Sequence, residues 1–227
     1  MKNILREIIL DLETTGLNHS KGDKIIEIAC IEVVNKEVTG RIFHTYLKNT
    51  RIISPGAFNI HGITNNFLRN KPLFKDILSN LISFIGNSKL IIHNAAFDIG
   101  FMNNELLKNK IPLISISNVI DTLDIARSKF PSSPVNLNSL CRKFKINLKN
   151  RTKHGALIDA KLLSHVYIKL SALKQSKLKL VRVRKKYLKN IFINKSKFKL
   201  NRKFILNMNE KLLYDNLLKK FFNSSRK

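Results

Sequence analysis

Apolar and β-branched residues gather in short runs in the first fifth of the chain. Ile4 to Leu10, Ile25 to Val34 and Arg41 to Leu47 are rich in them, with turn residues between, and three such runs in succession predict a strand meander. The pattern then changes. Thr64 to Arg69 and Leu73 to Ile85 read as helices, with Thr64 suited to an N-cap and Pro72 in the break between them. Leu90 to Ile92 is a short apolar run that reads as a fourth strand. Asn94 to Lys108 opens on a residue suited to capping and carries Phe97, Phe101, Leu106 and Leu107, which predicts a helix. Val119 and Ile120 would end a fifth strand, and helices over Thr122 to Lys129, Asn138 to Phe144 and Gly155 to Leu170 complete the series. The expected fold is α/β, a mixed five-stranded sheet flanked by helices.

Length and charge divide this picture in two. The 227 residues suffice for one well-buried domain and an appendage. Residues 1 to 171 hold 24 basic and 13 acidic side chains, whereas 172 to 227 hold 18 and 2. The boundary is therefore expected near 172, with a domain over 1-171 and a basic tail over 172-227. Scattered apolar residues of the tail, such as Leu178, Val181, Ile191 and Phe192 among many lysines, suit either a disordered arm or a segment that orders on a partner. The net charge of +27 attracts polyanions, nucleic acid first among them. An AT-rich codon bias would also enrich Lys, Asn and Ile, so total charge alone carries little weight. No apolar stretch approaches the eighteen residues of a membrane span, and the amino end reads as a strand rather than a secretory leader. A cytoplasmic location is expected. Cys30 and Cys141 lack a C-x-x-C partner, and both read as core thiols.

The sharpest local feature is Asp11-Leu12-Glu13-Thr14-Thr15-Gly16, at the end of the first strand. Alternation puts Asp11 and Glu13 on one face, where two carboxylates repel unless a cation lies between them. Oxygen ligands of this kind suit magnesium or manganese. Asp98 falls in the first turns of a helix that follows a strand, within His93-Asn94-Ala95-Ala96-Phe97-Asp98. A further acid, Asp159, comes five residues after His154 in His154-Gly155-Ala156-Leu157-Ile158-Asp159. With a helix beginning near Gly155, His154 lies on a mobile turn while Asp159 is fixed within the helix.

In order and content these three motifs resemble the DEDD-type 3′-to-5′ exonucleases, in the variant whose fifth catalytic residue is histidine. Lys24 through Ile28, His61-Gly62-Ile63 and Ile92 through Met102 extend the likeness to the DnaQ-type, or epsilon-type, proofreading exonucleases of bacterial DNA polymerase III. The resemblance covers roughly residues 4 to 170 and implies a ribonuclease H-like fold. It further implies two divalent metal ions, Mg2+ or Mn2+, held by Asp11, Glu13, Asp98 and Asp159, with His154 as the general base. Thr14 and His61 match contacts to the terminal nucleotide, joined there by Asp11, Glu13 and Asp159. Where many relatives carry a glutamate, Gly56 stands here, so one sugar or terminal-hydroxyl contact is expected to be missing.

The same resemblance implies DNA with a 3′ primer terminus as substrate, and the DNA polymerase III catalytic (alpha) subunit as partner of residues 185 to 227. Gln175 to Leu180 is similar to the short peptides that bind a sliding clamp, and a small theta-like subunit is a further partner the family allows. An RNA-trimming exonuclease of the same superfamily and a non-catalytic scaffold subunit are the alternatives. His93 suits the site or a structural cap equally well. His19, His44 and His165 read as ordinary surface or core residues, and Asp121 and Asp124 as helix caps or dipole partners outside the metal site.

Overall fold

A computed structural model of the chain describes residues 5–148 and 153–173. These residues all fall within one compact unit, Met1–Lys177. The clamp-like peptide and the expected polymerase-binding segment lie outside the described residues. Strands β1 (Arg6–Thr14), β2 (Ile25–Val34) and β3 (Glu37–Tyr46) form the expected antiparallel meander. Asn35 and Lys36 join β2 to β3 with φ of 52° and 70°, the positive values that a two-residue hairpin turn demands. Strands β4 (Lys89–Ile92) and β5 (Val119–Asp121) pair in parallel on the other side, giving the order β3-β2-β1-β4-β5.

Helices α1 (Pro55–His61), α2 (Asn65–Leu68), α3 (Phe74–Ile85), α4 (Ala95–Lys108), α5 (Thr122–Lys129) and α6 (Leu137–Lys143) follow in chain order. A further helix, α7, covers residues 156–173 and is the last among the described residues, so the charge boundary at 172 falls within helical residues. Alternate residues of β1 feed two cores. Ile8, Leu10 and Leu12 pack with Leu78 and Leu81 of α3 and with Phe101 and Met102 of α4. Ile9 packs with Leu140 of α6 and Leu163 and Val166 of α7. Asp11 and Glu13, in phase with Ile9, therefore leave the strand on the α7 side.

Several ends differ from the sequence reading. Helix α1 was not expected: Ser54 caps it through the Ala57 amide, Pro55 opens it and Gly62 closes it at φ 71°, but seven residues are too few for a periodic signal. It docks over a small core of Ile26, Ile53 and Leu68. Thr64 caps α2 as expected, accepting from the Phe67 amide at 3.1 Å. Asn94 does not cap α4 with its side chain; it sits at φ 72° without a side-chain hydrogen bond. Its place is taken by Asp121, whose carboxylate accepts from the Asn94 and Ala95 amides at 3.1 and 2.9 Å and from the Leu123 amide at 2.8 Å. One side chain thus caps two helices, and Asp124 pairs with Arg127 at the surface.

Removing the Asp121 carboxylate orphans three amides. Asp121→Ala is expected to lower unfolding free energy by about 2 kcal/mol, the upper range for loss of a cap, measured by urea denaturation. A loss under about 0.5 kcal/mol would show that water replaces the carboxylate at both helix ends.

Candidate active site

The sheet delivers Asp11 and Glu13 at the carboxyl end of β1, opposite Ala29 and Glu27 of β2, just before a register shift at Thr14. From the other side of the strand, α4 presents the buried Asp98 in its first turn. From α7 comes Asp159, also buried, whose amide closes the first helical turn onto the Gly155 carbonyl at 2.9 Å. His154 lies just before that helix with its side chain 46% exposed, and its Nδ1 stands 3.1 Å from Asp159 Oδ2. Donor atoms of Glu13, His154 and Asp159 all fall within 4.8 Å of one another.

Electrostatics tie the remaining acids to this cluster. Burial holds the Asp11 carboxyl well above the usual carboxylate range, and the charges of Asp98, Asp159, Glu13 and Glu27 push it further in the same direction. Asp98 is pushed up to about 8, by burial first. Its own backbone amide and that of Leu12 oppose this shift, while Asp121 adds repulsion. A set of carboxylates that destabilise one another's ionised forms is what a divalent cation would relieve. The oxygen-rich donor set fits hard divalent ions. The four acids and the histidine singled out from the sequence are thus brought to one end of the sheet.

Beside them a cleft of ≈ 290 Å³ is lined by Leu12, Glu13, Thr14, Gly56, His61 and Phe97, among others. The Thr14 hydroxyl donates to the Gly16 carbonyl at 2.6 Å, so this residue offers the cleft its backbone more readily than its hydroxyl. His61 is buried at the last turn of α1, and its Nδ1 accepts from the Ile63 amide at 2.9 Å. The neutral ring then carries its hydrogen on Nε2, which is buried without a hydrogen-bond partner. Burial lowers the pKa of His61, with the Thr14 backbone offsetting part of the effect. A Cβ on Gly56 would meet no heavy atom within 4 Å, so the space left by the missing side chain is open.

Other sequence-flagged residues fall outside the cluster. His93 bonds through Nδ1 to the Thr122 hydroxyl at 2.9 Å, and that hydroxyl donates to the Ile92 carbonyl. His93 therefore joins β4 to α5, the structural one of its two readings. His19 packs edge-on against Phe101 and His165 is exposed. Cys30 and Cys141 are buried. His44, by contrast, proves to be more than a surface residue: its Nε2 lies 2.8 Å from Oε1 of Glu27.

Glu27 is the residue that motif reading passed over. It is 2% exposed, stands opposite Glu13, and has an Oε2 buried without a hydrogen-bond partner. That oxygen lies 3.8 Å from where a Cβ on Gly155 would be, next to His154. A signal was present, since Glu27 interrupts an apolar strand, Ile25 to Val34, whose neighbours on both sides are core residues.

The exonuclease family model matches residues 8–167. The DNA polymerase III subunit epsilon of Rickettsia felis is 53% identical over 180 residues, covering 78% of this chain and 79% of the relative. That of Buchnera aphidicola subsp. Schizaphis graminum is 42% identical over 234 residues, covering 93% of this chain and 100% of the relative. Among solved structures, exonuclease X in complex with 5′ overhanging duplex DNA aligns with a TM-score of 0.57 at 26% identity, over 73% of this chain and 91% of that one. With these likenesses added to the carboxylate cluster at the end of β1, the chain belongs to the exonuclease family, in the branch of the bacterial DNA polymerase III epsilon subunits, the 3′-to-5′ proofreading exonucleases that its motifs resemble.

Proposed function

We propose that this chain removes mispaired 3′-terminal nucleotides from DNA as the proofreading subunit of DNA polymerase III, with Asp11, Glu13, Asp98 and Asp159 holding two divalent ions, Mg2+ or Mn2+. The supporting observation is the convergence of buried acids from β1, α4 and α7, which raise Asp11 together and set Glu13 and Asp159 beside His154. Bound ions of this kind acidify the attacking water and offset charge on the leaving 3′ oxygen.

The chain's own groups do the rest. A Nδ1–H of His154 donating to Asp159 leaves the Nε2 lone pair to take a proton from water. The exposure of His154 lets it exchange that proton with solvent, whereas the buried acids stay fixed in place. The apolar walls of the cleft, Leu12 and Phe97, suit a nucleobase, and the Nε2–H of His61 suits an oxygen of the terminal nucleotide. Asp11, Glu13, Thr14 and Asp159 border the same nucleotide. Released product is a nucleoside 5′-monophosphate.

For the tail we infer a role in assembly. Its excess of 18 basic over 2 acidic residues and the alignment of 93% of the chain with the Buchnera relative support a segment shared with that subunit. Residues 185–227 then engage the polymerase catalytic (alpha) subunit in the cytoplasm, with Gln175 to Leu180 on the sliding clamp and a theta-like subunit on the folded unit. No helix among the described residues is long and apolar enough to cross a membrane.

Asp11→Ala and Asp159→Ala are each expected to nearly abolish 3′ digestion of a mispaired primer, and His154→Ala to slow it by about 10²-fold, the usual contribution of a general base. Digestion persisting in either aspartate variant would refute the ligand assignment. Deletion of 172–227 is expected to leave hydrolysis intact and to abolish co-purification with the catalytic subunit; a truncated chain that still co-purifies places the contact on the nuclease unit.

Metal removal should reveal the strain among the acids. With a chelator present, folded Asp98 keeps its proton up to about 8, while an unfolded aspartate loses it at about 3.9. Between these values the folded state binds the extra proton, so stability falls as pH rises through that window. Asp98→Asn should therefore lack part of the fall, with the gap between variant and wild type widening from pH 4 to pH 8 and closing when Mn2+ is added. Parallel stability curves for the two proteins in chelator would show that Asp98 is not held above the carboxylate range.

A further inference from the structure

The segment that carries His154 reaches the body of the protein through α1. The His154 amide donates to the Ile60 carbonyl at 3.2 Å, a long bond to the last turn of that helix. The neighbouring residue adds a second attachment. Lys153 lies across Gly62, where an added Cβ would stand 2.6 Å from Lys153 Cδ, and its Nζ sits 5.2 Å from the centroid of the Phe58 ring. Both Phe58 and Gly62 belong to the α1 end that also supplies Ala57, Ile60 and His61 to the nucleotide cleft.

We propose that Lys153 is a positioning residue for the reaction: its side chain, laid over Gly62 with the ammonium on the Phe58 ring, fastens the His154 segment to the helix that walls the cleft. The proposal rests on the reading of His154 as the base. The physical case is one of entropy and geometry. His154 is half exposed and precedes its helix, so its main chain must be fixed by contacts of modest strength. A cation over an aromatic face, with the aliphatic stem covering a glycine, supplies one that a smaller or acidic residue would not. Gly62 makes room for it: its φ of 71° closes α1 and its lack of a Cβ leaves the bed in which the stem lies. The terminal nucleotide and the proton acceptor are thereby referenced to the same short helix.

The competing role for a lysine beside a nucleic-acid site is a phosphate contact, and kinetics separate the two. The full chain loaded with Mn2+ is assayed on an oligonucleotide duplex with a mispaired 3′ end. Lys153→Met is expected to lower kcat about tenfold, within the 10²-fold that a 1 Å misplacement costs, with KM and its salt dependence unchanged. Lys153→Arg should restore most of the rate, because a guanidinium also stacks on the ring. Phe58→Leu should reproduce the loss without adding to Lys153→Met, while thermal unfolding verifies that each variant is folded. In a His154→Ala background, Lys153→Met should cost nothing further.

A loss that persists in that background, or that appears in KM with a shallower salt dependence, overturns the positioning role in favour of a phosphate contact. A His154→Ala variant as fast as wild type removes the base assignment and this proposal with it. A slow His154→Ala beside an unaffected Lys153→Met overturns the proposal alone.

Discussion

Repulsion among carboxylates buried at the end of β1 is the constraint around which this fold is arranged. Glu13, Asp98 and Asp159 are each less than a tenth exposed, and their charges raise Asp11 alongside burial itself. Left to relax, such groups would separate or take up protons. They stay together because each is mounted on a different rigid element: Asp11 and Glu13 on the central strand, Asp98 on α4, Asp159 on α7. Those elements are pinned by two cores, one on each face of the sheet. The packing energy of the domain thus maintains a local electrostatic arrangement that is unfavourable without a cation.

Acids elsewhere in the unit are treated differently, and the contrast shows the cluster is no accident of composition. Glu7 receives the Tyr167 hydroxyl at 2.6 Å and the Lys36 ammonium. Glu32 is gripped by Arg6 at 2.6 Å and Arg41 at 3.0 Å, and its pKa is lowered, the Arg6 hydrogen bond leading. Glu105 takes Lys24 at 3.0 Å and Lys108 at 2.9 Å. In a chain with 42 basic residues, a cation was available for every acid. At Asp11 the charges of Asp98, Asp159, Glu13 and Glu27 instead add to one another and to burial.

Legibility in the sequence followed the range of the interaction. The meander, the order of later elements and the two-faced division of β1 depend on periodicity within a few residues, and Ile4 to Leu10 and Ile25 to Val34 displayed it. The motifs singled out four acids that the fold brings to one end of the sheet, because their spacing is tied to strand ends and helix starts. What escaped depended on contacts between distant segments. Asn94 has a capping residue's chemistry but a left-handed backbone, and the acceptor it was expected to supply comes from Asp121, twenty-seven positions away. Glu27 announced itself only as an acid in an apolar strand, and its relation to Glu13 needs the antiparallel register. Helix α1, with both end signals present and too few residues for a period, illustrates how short elements rest on docking, here over Ile26 and Leu68.

That short helix carries more of the proposed chemistry than its size suggests. Its first turn is hung from the residue that follows β1, since the Ser54 amide donates to the Thr15 carbonyl at 2.9 Å, and its last turn receives the His154 amide. Between the two ends lie Gly56 and His61, on the wall of the cleft. The helix is therefore a strut spanning from the turn that follows Glu13 to the segment that precedes Asp159. Any displacement of it moves the nucleotide wall and the imidazole together, so their spacing is conserved even when both shift relative to the acids. A glycine at 56 fits this arrangement: no side chain reaches from this point of the strut into the cleft, which Leu12, Phe97 and His61 help to line. On the proposed reading, the position of α1 therefore sets the position of the terminal nucleotide.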